Sequence, residues 1–434
     1  MIEIFNIIYL IMGLTLIFAA PTLLVFNLNI DKPYNLFLIY SINLIIILNI
    51  FLIFSFFKFN LNYIFYFLSF IGFINIYYLF NFFRFKKNYF FLIFLLFVFI
   101  LSIKIAQNPR LEWDAAVNWI FKTKNFYDGF DFSNLKNIPG IIAYPHLGSY
   151  GWALLWKNSL INYEYTGRIF YIFIYLISIF FIINNYNFQL LLKIIITFIT
   201  TAITFDHSLF SGYQEPLMFA LIISLFSLIN KANSFNKLNI FHWICILNAN
   251  LILWVKNEGF IFLLAILCLL LIERKTDKKI KLLFLFSFTL LILIKFSIFS
   301  IYFKENLIGW KGYEFLNFET SISLENLKRL PLLFYQLIII FFKYPIYLIF
   351  LLLFLFTLVK KKKNKYEHKK YILFFLANCL LSILIFFLTA DVNWNFHASV
   401  GMDRIMYSTS GIYLIFILDI LKNYFLKNGK KVLN

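Results

Sequence analysis

Thirteen stretches of the chain are apolar over lengths suited to a lipid bilayer. They fall at roughly 4–27, 35–57, 62–83, 89–106, 165–184, 189–205, 213–230, 239–255, 259–272, 282–301, 331–359, 371–390 and 405–422. A hydrocarbon core about 30 Å thick takes about 20 helical residues to cross. A backbone in lipid must also satisfy its own hydrogen bonds, which a helix does. The sequence therefore predicts an all-α polytopic integral membrane protein with about 13 transmembrane helices. Composition agrees: 62% of the 434 residues are hydrophobic and 14% charged, with mean hydropathy +0.84. No soluble domain of this size can hide that much apolar surface.

Between the runs lie two longer polar segments, which divide the chain. Residues 1–106 form N-terminal membrane helices, 107–164 a long loop, 165–301 a central bundle, 302–330 a second loop, and 331–434 the last helices and a basic tail. The start, "MIEIFNIIYL", lacks the basic residues of a secretory signal and reads as a retained anchor. Cys245, Cys268 and Cys379 sit in apolar runs without paired spacing, so neither a disulfide framework nor a metal knuckle is expected.

Charge sets a sidedness. If "RFKKN" at Arg84 is cytoplasmic and the helices alternate, that side collects Lys32, Lys193, Lys231, Lys237 and the runs near Lys279, Lys362 and Lys430. It then carries about +18 of the net +19, and only this orientation obeys the positive-inside rule. The basic balance thus concerns topology and anionic lipid headgroups, and nucleic acid is a poor partner. Both long loops, most of the acids, and His146, His207 and His397 fall on the other, extracytoplasmic side. Polar chemistry is expected there.

The first long loop opens with "NPRLEWDAAVNWIFKTKNFYDG", which places Glu112 and Asp114 just beyond a membrane helix. Trp113, Val117, Ile120 and Lys124 fall on one helical stripe, and Asp114, Asn118 and Lys122 on another. The spacing predicts a short interfacial helix with tryptophans at headgroup depth and its polar stripe toward an outer cavity. The two acids are catalytic candidates, although Asp114 would equally suit the dipole of a first helical turn. "AYPHLGSYGWALLW" follows, with Pro145 holding Tyr144 extended and glycines that let backbone approach a ligand. His146 and Tyr150 are its candidate contacts, and an ordinary re-entry turn is the other reading.

Two turns repeat the theme. "FDHSLFSGYQEP" carries Asp206, His207 and Glu215, and Glu215 also suits a helix N-terminus. "WVKNEGF" puts Lys256 and Glu258 in a tight turn. The last outer segment, "ADVNWNFHASVGMDRI", brings Asp391, His397, Asp403 and Arg404 before the final helix. Arg404 is a candidate phosphate ligand or an interfacial anchor. Lys295 and Lys343 are the bases set deepest inside apolar runs. No spacing here demands a metal, although acids and histidines leave a divalent ion possible.

In order and common sidedness, "EWDAAVNWIFKTKNFY", "YPHLGSYGW", "GYQEPLMFAL" and "KNEG" resemble the GT-C superfamily of membrane glycosyltransferases, such as protein mannosyltransferases and lipopolysaccharide glycosyltransferases. The resemblance covers residues 105–262. It implies a polyprenyl-phosphate-linked sugar donor and a glycan, lipid or protein acceptor, with the site on the extracytoplasmic face of a bacterial inner (plasma) membrane. It implies a base carboxylate at Asp114 with Glu112 beside it, and substrate contacts among Lys122, His146, Tyr150, Asp206, His207, Glu215, Lys256, Glu258 and Arg404. The chain departs from the family's pattern in placing three more helices before the acidic loop than the one usual there, and in its Glu-x-Asp spacing. An envelope polysaccharide polymerase or ligase, and a transporter or flippase, are the alternatives.

Overall fold

A computed structural model describes residues 2–27, 35–83, 89–139, 144–232, 238–273, 276–303, 324–359, 365–388 and 394–432. Among these the regular elements are all helical. They are α1 (Ile2–Ala19), α2 (Thr22–Asn27), α3 (Leu36–Ser55), α4 (Leu61–Phe83), α5 (Tyr89–Gln107), α6 (Ile120–Tyr127), α7 (Leu147–Lys157), α8 (Ile169–Asn184), α9 (Leu190–Thr204), α10 (Glu215–Ala232), α11 (Ile240–Val255), α12 (Gly259–Ile272), α13 (Lys278–Phe303), α14 (Arg329–Lys343), α15 (Ile346–Val359), α16 (Lys365–Phe387) and α17 (Trp394–Val432).

Nine helices among the described residues are long and apolar enough to cross a membrane. The expected count of thirteen is larger because α9, α11 and α12 have only 15, 16 and 14 residues. At 1.5 Å per residue they reach about 21–24 Å, short of a hydrocarbon core. The expected span 331–359 is α14 and α15, bent by 91° about Tyr344–Pro345. Pro345 has no backbone N–H to continue the ladder, which explains a break there. The basic loops at 84–88 and 360–364, Asp391 and most of the 302–330 loop lie outside the described residues.

The chain packs as two compact units, 1–198 with 206–259, and 199–205 with 260–434. In the first, α8 is the central pillar. Its sequence is apolar on every side, the pattern of a helix surrounded by protein, and the window Glu164–Asn184 is 100% buried. Asn43 Nδ2 donates to Thr22 Oγ1 at 2.9 Å, and Asn250 Nδ2 to Asn49 Oδ1 at 3.0 Å. Such amide bonds tie apolar helices where the hydrophobic effect cannot. By contrast α4 turns Tyr63, Tyr66, Phe67, Phe70 and Phe73 outward, a face that suits lipid.

Contacts also sort the loops of this unit by end. At one end Asn6 accepts from Leu160 N–H (2.7 Å), Asn158 reaches the Leu61 carbonyl (3.4 Å), and Glu112 N–H donates to Ser211 O (3.2 Å). At the other, Lys193 Nζ donates to Asn184 Oδ1 (2.7 Å), Asn184 meets Asn35, and Lys231 lies over Phe241. The acid-bearing loops thus share one end of the unit, and Lys193 and Lys231 the other.

In the second unit α16 runs antiparallel to α17: Phe386 meets Gly401, Asn378 donates to Thr409 (2.7 Å), and Tyr371 to Asp419 (3.2 Å). Aromatic rings of α15 fill the space between them, with Phe350 4.7 Å from Tyr413 and 5.1 Å from Phe416.

Candidate functional site

The site is best built from its floor. Arg168, at the start of α8, is fully buried. Its guanidinium donates to Glu164 Oε1 at 2.9 Å and to the backbone carbonyls of Pro109 and Arg110. It therefore clamps the strand of chain that leaves α5 and leads into Glu112. Sequence reading passed over this residue. Its signal was a lone arginine four residues after a glutamate, at the mouth of a wholly apolar helix, where an ionisable group is expensive and needs partners.

From there the chain turns into a helix at Trp113, and residues Ala115–Trp119 form a π-helical turn before α6. An α-helix carries positions i, i+4 and i+8 around by about 40° per step. The wider π turn offsets that drift. Asn118 and Lys122 are accordingly buried in line behind half-buried Asp114, while Trp113 is 66% exposed. The polar stripe faces protein, and the tryptophan faces out. Asp114 makes no capping hydrogen bond with its side chain. The Glu112 carboxylate has no hydrogen bond or ion pair among the described residues. Lys122 donates to the Tyr144 carbonyl and lies 5.7 Å from the Trp119 ring centre, with Trp119 and Tyr144 stacked at 5.5 Å.

The second motif folds as α7. His146 is fully buried: Nε2 lies 2.6 Å from Ser55 Oγ, and Phe132, Phe126, Trp254 and Phe56 surround the ring at 4.6–5.9 Å. That position suits a packing group joining α3, the first loop and the Lys256 turn. Tyr150 is buried between Phe51 and Phe126, its hydroxyl has no partner among the described residues, and burial pushes its phenol above the usual range. The glycines serve helix packing. A Cβ on Gly148 would stand 1.7 Å from Gln214 Oε1, one on Gly151 2.2 Å from Phe170, and one on Gly167 2.3 Å from the Trp152 carbonyl.

The third and fourth motifs complete this end. Asp206 accepts from Ser208 N–H and Oγ at 3.0 and 2.8 Å, a local turn. His207 is half-buried; burial, then the Lys104 charge, hold its imidazole below the usual value. Gly212, with φ 100°, lets the turn press on the loop helix, where a Cβ would meet Ala115 at 2.7 Å. Glu215 then opens α10, where its charge suits the helix dipole. It also pairs with Lys256 Nζ at 2.9 Å, and Glu258 lies 3.2 Å from the same ammonium. Capping and pairing thus coexist at Glu215.

So four separated motifs meet around one end of the first unit. Arg404 belongs to the second unit, three turns inside α17 and not in a loop before it. Its neighbour Asp403 pairs with Lys343 at 2.6 Å, beside the α14–α15 break. Lys343 therefore shares its charge with an acid, and Lys295 lies buried on α13 beside Phe299.

Among the described residues no group of three or more His, Cys, Asp or Glu stands together as metal ligands would. Between Glu215 and Glu258, the cation is the lysine. Comparison with known proteins gives no match: no family model fits the chain, and no curated protein and no solved structure is similar to it.

Proposed function

We propose that the chain is a membrane glycosyltransferase that moves a sugar from a polyprenyl-phosphate donor to a hydroxyl of a glycan, lipid or protein acceptor. One observation carries the reading. Glu112, just before a helix that opens with a π turn, and Asp114, in its first turn, lie against the turn that leads into the Glu215–Lys256–Glu258 cluster. Single π turns inside helices recur at functional sites. Two carboxylates at the mouth of an apolar bundle would meet a donor whose tail lies in lipid and whose sugar lies at the surface.

In this mechanism Asp114 accepts the proton of the acceptor hydroxyl as its oxygen bonds to sugar C1. The bond from C1 to the phosphate oxygen breaks, and the phosphate leaves with the electron pair. General-base help of this kind contributes about 100- to 10,000-fold. A cation aimed at the leaving phosphate supplies the rest of the electrostatics. Lys256, in the same unit as Asp114, is the candidate; two carboxylates already hold it.

The test is reconstitution of the purified protein in liposomes with radiolabelled polyprenyl-phosphate sugars and a lipid extract as acceptor. Label should move to a new product. Persistence of every labelled donor, with protein folded by thermal melt, contradicts the reading.

A transporter is the second reading, favoured by the broken α14–α15 pair with Lys343–Asp403 at the break. Transporters place binding sites at interrupted helices. Uptake of labelled solute into the same liposomes, abolished by Asp403→Asn, would select it.

A further inference from the structure

A cleft of about 300 Å³ opens at the same end of the first unit, and neither Glu112 nor Asp114 lines it. Its walls are the link from α3 to α4 (Lys58, Phe59, Asn60, Leu61), the close of α6 (Phe126–Gly129) and Lys157 at the end of α7. None of the sequence motifs singled out above includes Lys58, Asn60 or Lys157.

The charges in it are not paired with one another. Lys58, Lys157 and Asp128 make no ion pair or side-chain hydrogen bond among the described residues. Two ammonium groups and one carboxylate thus line one space without pairing across it. The walls that hold them are, by contrast, tied by several contacts. The Lys157 ammonium sits 4.3 Å from the Tyr127 ring centre, a fixed cation–π contact. Tyr127 packs on Trp156 at 4.4 Å, and both donate to Asn162 Oδ1 at 3.1 Å. Asn60 Oδ1 accepts from the Asn62 amide N–H at 2.9 Å, and Asn158 Nδ2 donates to the Leu61 carbonyl at 3.4 Å. On the far wall Gly129 (φ 87°) closes α6 with Gly129 N–H to Phe126 O and Phe130 N–H to Asn125 O, a Schellman end. A cradle so held needs little reorganisation to receive a ligand, the condition for cheap binding.

The lining also says what would fit. Two ammonium donors match an anionic oxygen group. Asp128 and the Asn60 amide offer partners to hydroxyls. Phe59, 46% exposed, offers apolar area for a ring. We propose that this cleft binds an acidic sugar, a saccharide unit carrying a phosphate or carboxylate. Phe57, Phe59 and Phe130 stand exposed around the rim at 46–57%, so the sugar arrives either free or as the headgroup of a lipid.

The proposal is independent of sugar transfer, and binding alone tests it. The full-length protein in phosphatidylcholine nanodiscs is titrated with glucose 6-phosphate, glucuronate and glucose by calorimetry. The two acids should bind and glucose should bind at least tenfold more weakly. Lys58→Gln and Lys157→Gln should each weaken the acids about tenfold or more, the loss expected when a charge-assisted bond goes. Lys279→Gln, at an exposed lysine that does not line the cleft, should leave this binding unchanged. Nanodiscs containing glucuronosyl diacylglycerol separate the sources: competition with glucose 6-phosphate marks a lipid headgroup as the occupant, and its absence marks a soluble or glycan-borne sugar. Equal affinity for glucose and its acids, no binding of either acid, or acids bound unchanged by the double variant Lys58→Gln/Lys157→Gln would each overturn the proposal. A far-ultraviolet spectrum and melt of the double variant confirm that it is folded.

Discussion

The Lys256 ammonium lies 2.9 Å from Glu215 Oε1, joining a buried turn to the first residue of α10. Both side chains are nearly sealed from solvent, so neither charge can be left alone. Removing one partner of a buried pair typically costs about 3–5 kcal/mol. Glu215→Gln and Lys256→Met should each lower thermal stability strongly in detergent. The double variant should recover part of that loss, because the charge it leaves without its partner is Glu258, which is partly exposed to water. Additive losses in a double-mutant cycle would show that the two do not couple.

Arg168 offers a test of loop placement. Its guanidinium is the hinge that holds the Pro109 and Arg110 carbonyls. Arg168→Lys keeps the charge but loses the planar fork. Hydrogen exchange across residues 110–116 should speed up in the variant, while exchange in α4 stays unchanged. Identical protection of 110–116 would mean that the loop is held by other contacts.

Close packing of α7 and the Gly212 turn predicts a graded series. Gly167→Ala places a Cβ 2.3 Å from the Trp152 carbonyl, a clash with backbone. Gly212→Ala adds left-handed strain to contacts of 2.7 and 2.8 Å, whereas Gly129→Ala meets open space and bears strain alone. Overpacking costs about 1–3 kcal/mol and left-handed strain about 1–2 kcal/mol. Thermal melts should therefore rank Gly129→Ala as the mildest of the three.

For His207 the sign follows from its lowered value. The folded state holds the imidazole neutral where the unfolded chain, near pH 6.5, begins to take up a proton. Its contribution is present above that pH and is lost as the pH falls below it. His207→Gln should flatten this part of the stability profile between pH 7 and 5. The facing groups are Lys104, Asp206 and Arg168. A parental slope retained in the variant would assign the dependence elsewhere.

Much of this arrangement was legible in the residues, because apolar run length and basic sidedness act locally along the chain. The all-helical architecture and the separation of the acid-bearing loops from Lys193 and Lys231 follow from spacing and charge. The stripe expected to face an outer cavity instead buries Asn118 and Lys122 in protein, and Trp119, expected at headgroup depth, is buried as well. What escaped depends on contacts far apart in sequence. His146 becomes a core residue because Ser55 and Trp254 arrive from other helices. The glycines of "GSYG" look like ligand glycines until Gln214 and Phe170 fill the space above them. Arg404 reads as a loop residue until α17 is seen to begin at Trp394.

The central claim rests on the carboxylates that open the first long loop. The direct measurement is the rate of sugar transfer by Asp114→Asn in reconstituted liposomes, with Glu112→Gln in parallel. Asn is nearly isosteric with Asp, so abundance and melting should match the parent. Loss of the proton acceptor should slow transfer at least about 100-fold. A larger loss in Glu112→Gln would move the base to that residue. Parental rates in both variants would contradict the catalytic reading.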